Sequence, residues 1–475
     1  MKRALGVVLA VALSLMTAPA AAAEPVIAVE TGQLRGVVSD GIESWKGIPF
    51  AAPPTGALRW RPPQPAAPWP GVREAAGYGN DCMQLPFPSD AAPLGAAPAE
   101  DCLYLNVWRP GGGPVRDLPV VVWIHGGGFV NGGASPAVYS GAELARHGVV
   151  VASFNYRLGR FGTFAHPQLT QERPDGLLGN YGVMDQIAAM QWVQRNISAF
   201  GGDPRNVTVM GESAGGMAIH TLLTSPRAQG LVQRAVIMSG GDGSVDDANL
   251  ADVEQIGVRF ADAQGIGADD PDALTELRAL SPEQIRGDLN MGKLFGSDQR
   301  DFASPFAEGV TVVDPAAAYR ADTFDHVPIM VGATSADIGG RDGVMVAGAR
   351  QVASLLAAKV PVYAYRFSYV AGSGDRTAGA PHATDVPFFL HTEATHTEAT
   401  HTEATHTEAT KYGDQTTAED TAVGATISAY VVNFARTGDP NGPGLAAWPR
   451  YVPADDVIMD FAASGAAVPQ RDPWG

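Results

Sequence analysis

Cysteine is nearly absent: the 475 residues contain two, Cys82 and Cys102. Two thiols with no histidine close by disfavour a cysteine-based metal site. Long apolar runs are equally scarce. Beyond the first residues there is no stretch of about 18 consecutive apolar residues, the length that a bilayer-spanning helix needs, so stable membrane insertion is not expected. Cations are in the minority, with 32 Lys and Arg against 50 Asp and Glu, for a formal charge of −18. Such a balance argues against nucleic acid as a partner. No domain-sized repeat divides the chain. With 45% hydrophobic and 17% charged residues it is an ordered globular sequence, long enough to bury a large core.

The first residues read as an export signal: Lys2 and Arg3 precede an apolar run from Ala4 to Met16, and small residues follow from Ala18 to Ala23. Residues 1–23 are therefore expected to be a secretory signal peptide, the alternative being an uncleaved anchor. A secreted or periplasmic product of residues 24–475 follows, and losing Lys2 and Arg3 takes the formal charge from −18 to −20. In an oxidising compartment, Cys82 and Cys102 are expected to form a disulfide, against the alternative of two buried thiols. By loop-entropy arguments such a bond contributes about 3 kcal/mol.

Short β-branched runs alternate with longer helical patterns, the signature of a mostly parallel sheet covered by helices. Strands are predicted at Val120–Ile124, Val149–Asn155, Val207–Met210, Ala235–Met238, Val327–Val331 and Val362–Phe367. Helices are predicted at Asp185–Asn196, with Ile187, Met190, Gln191 and Val193 on one side, and at Ser213–Thr224.

The chemistry begins at Gly211-Glu212-Ser213-Ala214-Gly215, a G-x-S-x-G run after a strand and before a helix. That context is a sharp turn presenting the Ser213 hydroxyl as a nucleophile above the sheet. His125-Gly126-Gly127-Gly128 follows another apolar strand, as an oxyanion loop should, which nominates the N–H groups of Gly127, Gly128 and Ala214 as donors to a developing oxyanion. The general base must follow the acid in the chain. Of ten histidines, His382 best meets that order, in a loop after the strand Val362–Phe367, with His391 its rival. For the acid, Asp337 lies in the loop after Val327–Val331, with Asp342 close enough to compete.

These residues converge on a family. The chain resembles the type-B carboxylesterase and lipase family through TGQLRG at Thr31, WKGIPFAAPP at Trp45, EDCLYLNV at Glu100, WIHGGGF at Trp123, NYRLGRFG at Asn155, the long run from Gly179 to Gly216, AGAPHATDVPFF around His382 and NFARTGDPN at Asn433. The resemblance implies an α/β-hydrolase fold and a serine carboxylesterase acting on small-molecule esters through an acyl-enzyme. It implies Ser213, Asp337 and His382 as the triad, no metal or organic cofactor, and the Cys82–Cys102 disulfide. It also implies ion pairs of Arg59 with Glu100 and Arg157 with Asp185. An amidase or carbamate hydrolase on the same triad, or a non-catalytic binding protein on this scaffold, are the alternatives.

Three departures from the family pattern stand out. The acid is Asp where many members carry Glu. The segment from Cys82 to Cys102 holds Phe87 but no Trp, so a platform for quaternary ammonium groups is not expected. Only 45 positions separate Asp337 from His382, where relatives place a longer helical insertion, so a shallow, open cleft suited to small esters is expected. The pentapeptide HTEAT, four times in tandem from His391 to Thr410, is expected to be a solvated spacer, its period of five fitting neither helix nor strand.

Overall fold

The computed structural model describes residues 24–87, 92–113, 115–294, 302–372, 376–394 and 416–475. The expected signal peptide, residues 1–23, and repeat positions 395–410 lie outside the described residues.

All six predicted runs become strands of one eleven-stranded sheet. In chain order these are β1 (Val37–Ser39), β2 (Ile42–Pro49), β3 (Tyr104–Pro110), β4 (Leu118–Ile124), β5 (Val150–Phe154), β6 (Gly202–Glu212), β7 (Arg234–Met238), β8 (Ile329–Thr334), β9 (Val362–Phe367), β10 (Val457–Phe461) and β11 (Ala467–Arg471). Across the sheet they run β11-β10-β9-β8-β7-β6-β4-β5-β3-β2-β1. Every pairing from β5 to β10 is parallel, and the outer pairs at both ends are antiparallel. Several boundaries move: β4 starts two residues earlier than predicted, β6 extends from Val207–Met210 to Gly202–Glu212, and β8 shifts from Val327–Val331 to Ile329–Thr334, its start delayed because Pro328 has no N–H to give to the ladder.

Alternation along β4 shows how both faces are filled. Val120, Val122 and Ile124 enter one core with α1 (Tyr181–Asn196), α2 (Ala214–Thr224) and α4 (Val344–Leu356). Val121 and Trp123 enter the other with α5 (Ala418–Thr437), while a further helix, α3 (Leu250–Ala263), packs in a separate cluster. A strand covered on both sides has no polar face, which is why these runs read as continuously apolar. Helix α1 starts four residues before the predicted Asp185 and is buried almost all round. Gln191, expected on its apolar side, is exposed instead, since a polar amide gains nothing from the core.

Cys82 and Cys102 are disulfide-bonded. The ion pairs implied by the resemblance are both present: Arg59 reaches the two Glu100 oxygens at 2.7 and 2.5 Å, and Arg157 those of Asp185 at 2.7 and 2.8 Å. No helix among the described residues is long and apolar enough to cross a membrane.

The solvated spacer expected for the HTEAT tract does not describe its first copy. Thr392 and Glu393 are buried, the Thr392 hydroxyl donating to Val138 O at 2.7 Å. The cause is the segment before it. Val386–Leu390 is a fully buried helical turn, and the residues leaving it are carried into the interior before the chain can reach solvent.

Candidate active site

Chain order reverses at β4, with β5 on one side and β6 on the other, and in parallel sheets ligands bind beyond the carboxyl ends of strands at such a switch point. Both glycine-bearing motifs sit there. Ile124, the last residue of β4, is in register with Gly211 of β6, so His125–Gly128 and Ser213 leave the sheet side by side.

Ser213 itself is held at φ +55° and ψ −123°, a strained conformation for a residue with a side chain. Its N–H donates to Met238 O at 2.9 Å, and its carbonyl accepts from Met217 N as α2 begins. Gly215 makes the elbow feasible: a Cβ there would lie 2.1 Å from Ile124 O, so the helix approaches β4 only without a side chain. On the neighbouring loop Gly127 has φ +101°, open to glycine alone at little cost. His125 supports that loop. It is fully buried, stacked on Tyr156 at 4.4 Å, and donates from Nδ1 to Gly126 O. Burial pushes its pKa down to about 4, which leaves it neutral.

The Ser213 hydroxyl lies 3.0 Å from His382 Nε2, and His382 Nδ1 lies 2.6 Å from Asp337 Oδ1. Asp337 follows β8 and is buried. Its Oδ2 accepts from the Ser239 hydroxyl at 2.7 Å, the Thr334 hydroxyl at 2.9 Å and Thr334 N at 3.2 Å, and its Oδ1 also accepts from Ile338 N at 2.7 Å. Burial would raise its pKa, but the hydrogen bond and charge of His382 and these donors outweigh it and hold the carboxyl below its ordinary value. The rivals lie apart. Asp342 is exposed on a short turn, and His391 pairs with Glu393 at 3.2 Å beside His147. His220, seven residues along α2, is buried and hydrogen-bonded to the Tyr319 hydroxyl.

Two carboxylates escaped the sequence reading. Glu212 Oε1 stands 3.1 Å from His382 Nε2, almost as near as the serine. Asp385 is fully buried, accepts from the Tyr365 hydroxyl at 3.1 Å, and is pushed up to about 8 by burial and then by the charges of Glu212 and Asp337. A signal for Glu212 was present: a carboxylate ending an apolar strand, directly before the nucleophile, is an expensive residue to bury without a partner.

Beside Ser213 opens a pocket of about 250 Å³. Phe129, Met217, Val245, Met291, Leu294 and Ile338 form much of its wall, with Gly128 and Ala214 at the serine end.

An elbow serine beneath a glycine-rich loop, at the carboxyl edge of this sheet, defines a serine hydrolase of the α/β-hydrolase fold. The chain belongs to the carboxylesterase family, whose model matches residues 23–341 and 340–471. It is 32% identical to a fumonisin B1 esterase of Sphingopyxis macrogoltabida, over 90% of this chain and 85% of that one. To the liver carboxylesterase of Sus scrofa it is 31% identical, over 90% and 88%. Among solved structures, a PNB esterase superposes with a TM-score of 0.82 at 27% identity, covering 95% of this chain and 98% of the other. The protein is accordingly a serine carboxylesterase, a hydrolase of carboxylic esters.

Proposed function

We propose that Ser213, His382 and Asp337 hydrolyse esters by two-step acyl transfer. His382 takes the Ser213 proton as the hydroxyl attacks the ester carbonyl, and Asp337 holds the imidazole with Nδ1 protonated and Nε2 free. The N–H groups of Gly127, Gly128 and Ala214 receive the oxyanion. Collapse expels the alcohol, protonated by His382, and water then repeats the sequence to free the acid. The observation that carries this reading is the unbroken line from Ser213 Oγ through His382 to Asp337, at 3.0 and 2.6 Å.

Glu212 enters as an electrostatic support. Burial alone would lower the pKa of His382, but the charges of Glu212 and Asp337 outweigh it and hold the imidazole above its ordinary value. Since only the neutral ring can accept the serine proton, kcat/KM should rise with pH through a pKa above that of a free histidine. Glu212→Gln removes a charge that favours the imidazolium, so the acid limb of the pH–rate profile should move to lower pH by about 1 unit or more. A limb that stays in place would separate Glu212 from His382.

The substrate class follows from the pocket. Its described lining is largely apolar and includes no lysine or arginine, which favours uncharged acyl groups of modest size. Across a series of para-nitrophenyl esters, kcat/KM should climb roughly fourfold per methylene, the equivalent of about 0.8 kcal/mol, until the pocket fills, and then fall. Matched amides should be poor substrates. A climb that continues to palmitate would contradict the size limit. Secretion or periplasmic export, inferred from Lys2, Arg3 and the apolar run after them, is part of the same proposal, and N-terminal sequencing of the mature protein tests it.

A further inference from the structure

We propose that Asn131, acting with Gln84, is a positioning residue for the oxyanion hole. The inference rests on the assignment of Gly127, Gly128 and Ala214 as donors, and it concerns what keeps the first two in place.

The turn that carries them is unfavourable by itself. Gly127, Gly128, Phe129 and Gly132 have φ of +101°, +62°, +61° and +103°, so four of six consecutive residues are left-handed. One of them, Phe129, bears a bulky side chain, for which that region is strained. Backbone bonds hold the turn at two points: Val130 N and Asn131 N both donate to Gly127 O at 3.1 and 2.9 Å, and Gly159 N donates to Phe129 O at 2.8 Å, which leaves the end at Gly132 to side chains. A strained turn keeps a unique shape only where its surroundings over-determine it.

Two buried amides supply those surroundings. Asn131 Nδ2 donates to Gln84 Oε1 at 3.1 Å and to Leu85 O at 2.7 Å, while its Oδ1 accepts from Met291 N at 2.8 Å. Gln84 grips the far end of the turn, its Oε1 accepting from Gly132 N at 2.9 Å and its Nε2 donating to Gly132 O at 2.6 Å and Cys82 O at 3.0 Å. Asn131 is 0% and Gln84 2% exposed. Both amide nitrogens thus use both of their hydrogens, and a buried network satisfied in this way holds a single geometry. It ties together the disulfide-bonded segment, the oxyanion turn and the helical turn Met291–Leu294. The last of these rests on Gly128, where an added Cβ would lie 2.8 Å from Leu294 Cδ1 and 2.9 Å from Met291 Sδ.

Neither amide side chain lines the pocket or bonds to Ser213, His382 or Asp337, so their effect on catalysis passes through the turn. An oxyanion exists in the transition state and not in the bound ester. Displaced donors therefore lower kcat and leave KM nearly unchanged.

The test uses Asn131→Leu, Asn131→Asp, Gln84→Leu and the double variant Asn131→Leu/Gln84→Leu, with active sites counted by burst titration so that unfolded protein does not contribute. Asn131→Asp preserves shape and the acceptor for Met291 N if Asn131→Leu does not fold. For each, kcat and KM are measured with one para-nitrophenyl ester, alongside Ki for a trifluoromethyl ketone whose adduct with serine places an oxyanion in the hole. The expected result is a fall in kcat per titrated site of about 10- to 100-fold, with KM within about twofold and Ki rising in parallel. The double variant should be no worse than the poorer single one, because the two amides act as a unit. Variants that melt earlier but turn over at the wild-type rate per site, with unchanged Ki, would overturn the proposal. A wild-type enzyme that the ketone fails to inhibit would instead overturn the oxyanion assignment beneath it.

Discussion

Replacing Ser213 with alanine is expected to leave a folded protein whose ester hydrolysis is reduced by about 10⁵-fold or more, since a triad acts as a unit. Two features of the site separate loss of chemistry from loss of structure. The strained backbone at φ +55° is kept in place by its own N–H bond to Met238 O and by the approach of Gly215 to Ile124, neither of which involves the hydroxyl. The hydroxyl's bond is to His382, and removing one such bond costs only about 0.5–1.5 kcal/mol. Circular dichroism and the melting temperature should therefore stay close to wild type while the burst of acyl-enzyme formation disappears. Retention of more than about a tenth of the activity is far too much for a triad nucleophile and would remove Ser213 from that role.

Asp337→Asn should lower turnover by about 10⁴-fold, the scale associated with an imidazole held in the wrong tautomer. The donors around this carboxylate explain why an amide cannot substitute. If the new nitrogen takes the place of Oδ1, it faces Ile338 N–H and turns a donor towards His382 Nδ1, which must then accept and leave its proton on Nε2. If it takes the place of Oδ2, it meets the Ser239 and Thr334 donors instead. Either way a buried donor loses its acceptor. Glu212 cannot compensate, because it addresses the Nε2 side of the ring. The exposed Asp342 serves as control: Asp342→Asn should turn over within about twofold of wild type, as surface substitutions usually do. Loss of activity there, with Asp337→Asn unaffected, would exchange the two assignments.

The segment between Asp337 and His382 bears on specificity in a way the chain order alone did not suggest. Part of the pocket wall comes from Met291 and Leu294, upstream of Asp337, and part from Ile338, Val344 and Met345. Shortness of the later segment therefore does not leave the serine without apolar neighbours.

Much of this molecule was legible before any coordinates. Continuous apolar runs located the central strands, because strands covered on both faces admit no polar side. The glycines of G-x-S-x-G and of His125–Gly128 located the two turns, because a close backbone approach or a positive φ is a local demand that particular residues answer within a few positions. Chain order and the loops after β8 and β9 were enough to nominate Asp337 and His382, which the structure brings together with Ser213. Other features depend on residues far apart in the chain. Ser239 reaches Asp337 across 98 positions, Gln84 meets Asn131 across 47, and Thr392 bonds to Val138 across 254. No periodicity or motif encodes such pairs, since each side chain is unremarkable in its own neighbourhood. The same holds for the strain at Phe129 and the proximity of Glu212 to His382. Strands, turns and the order of the catalytic groups thus follow from local backbone preference and burial. Their exact electrostatics and rigidity arise only when packing brings distant polar groups into a space that water has left, where each must find a partner.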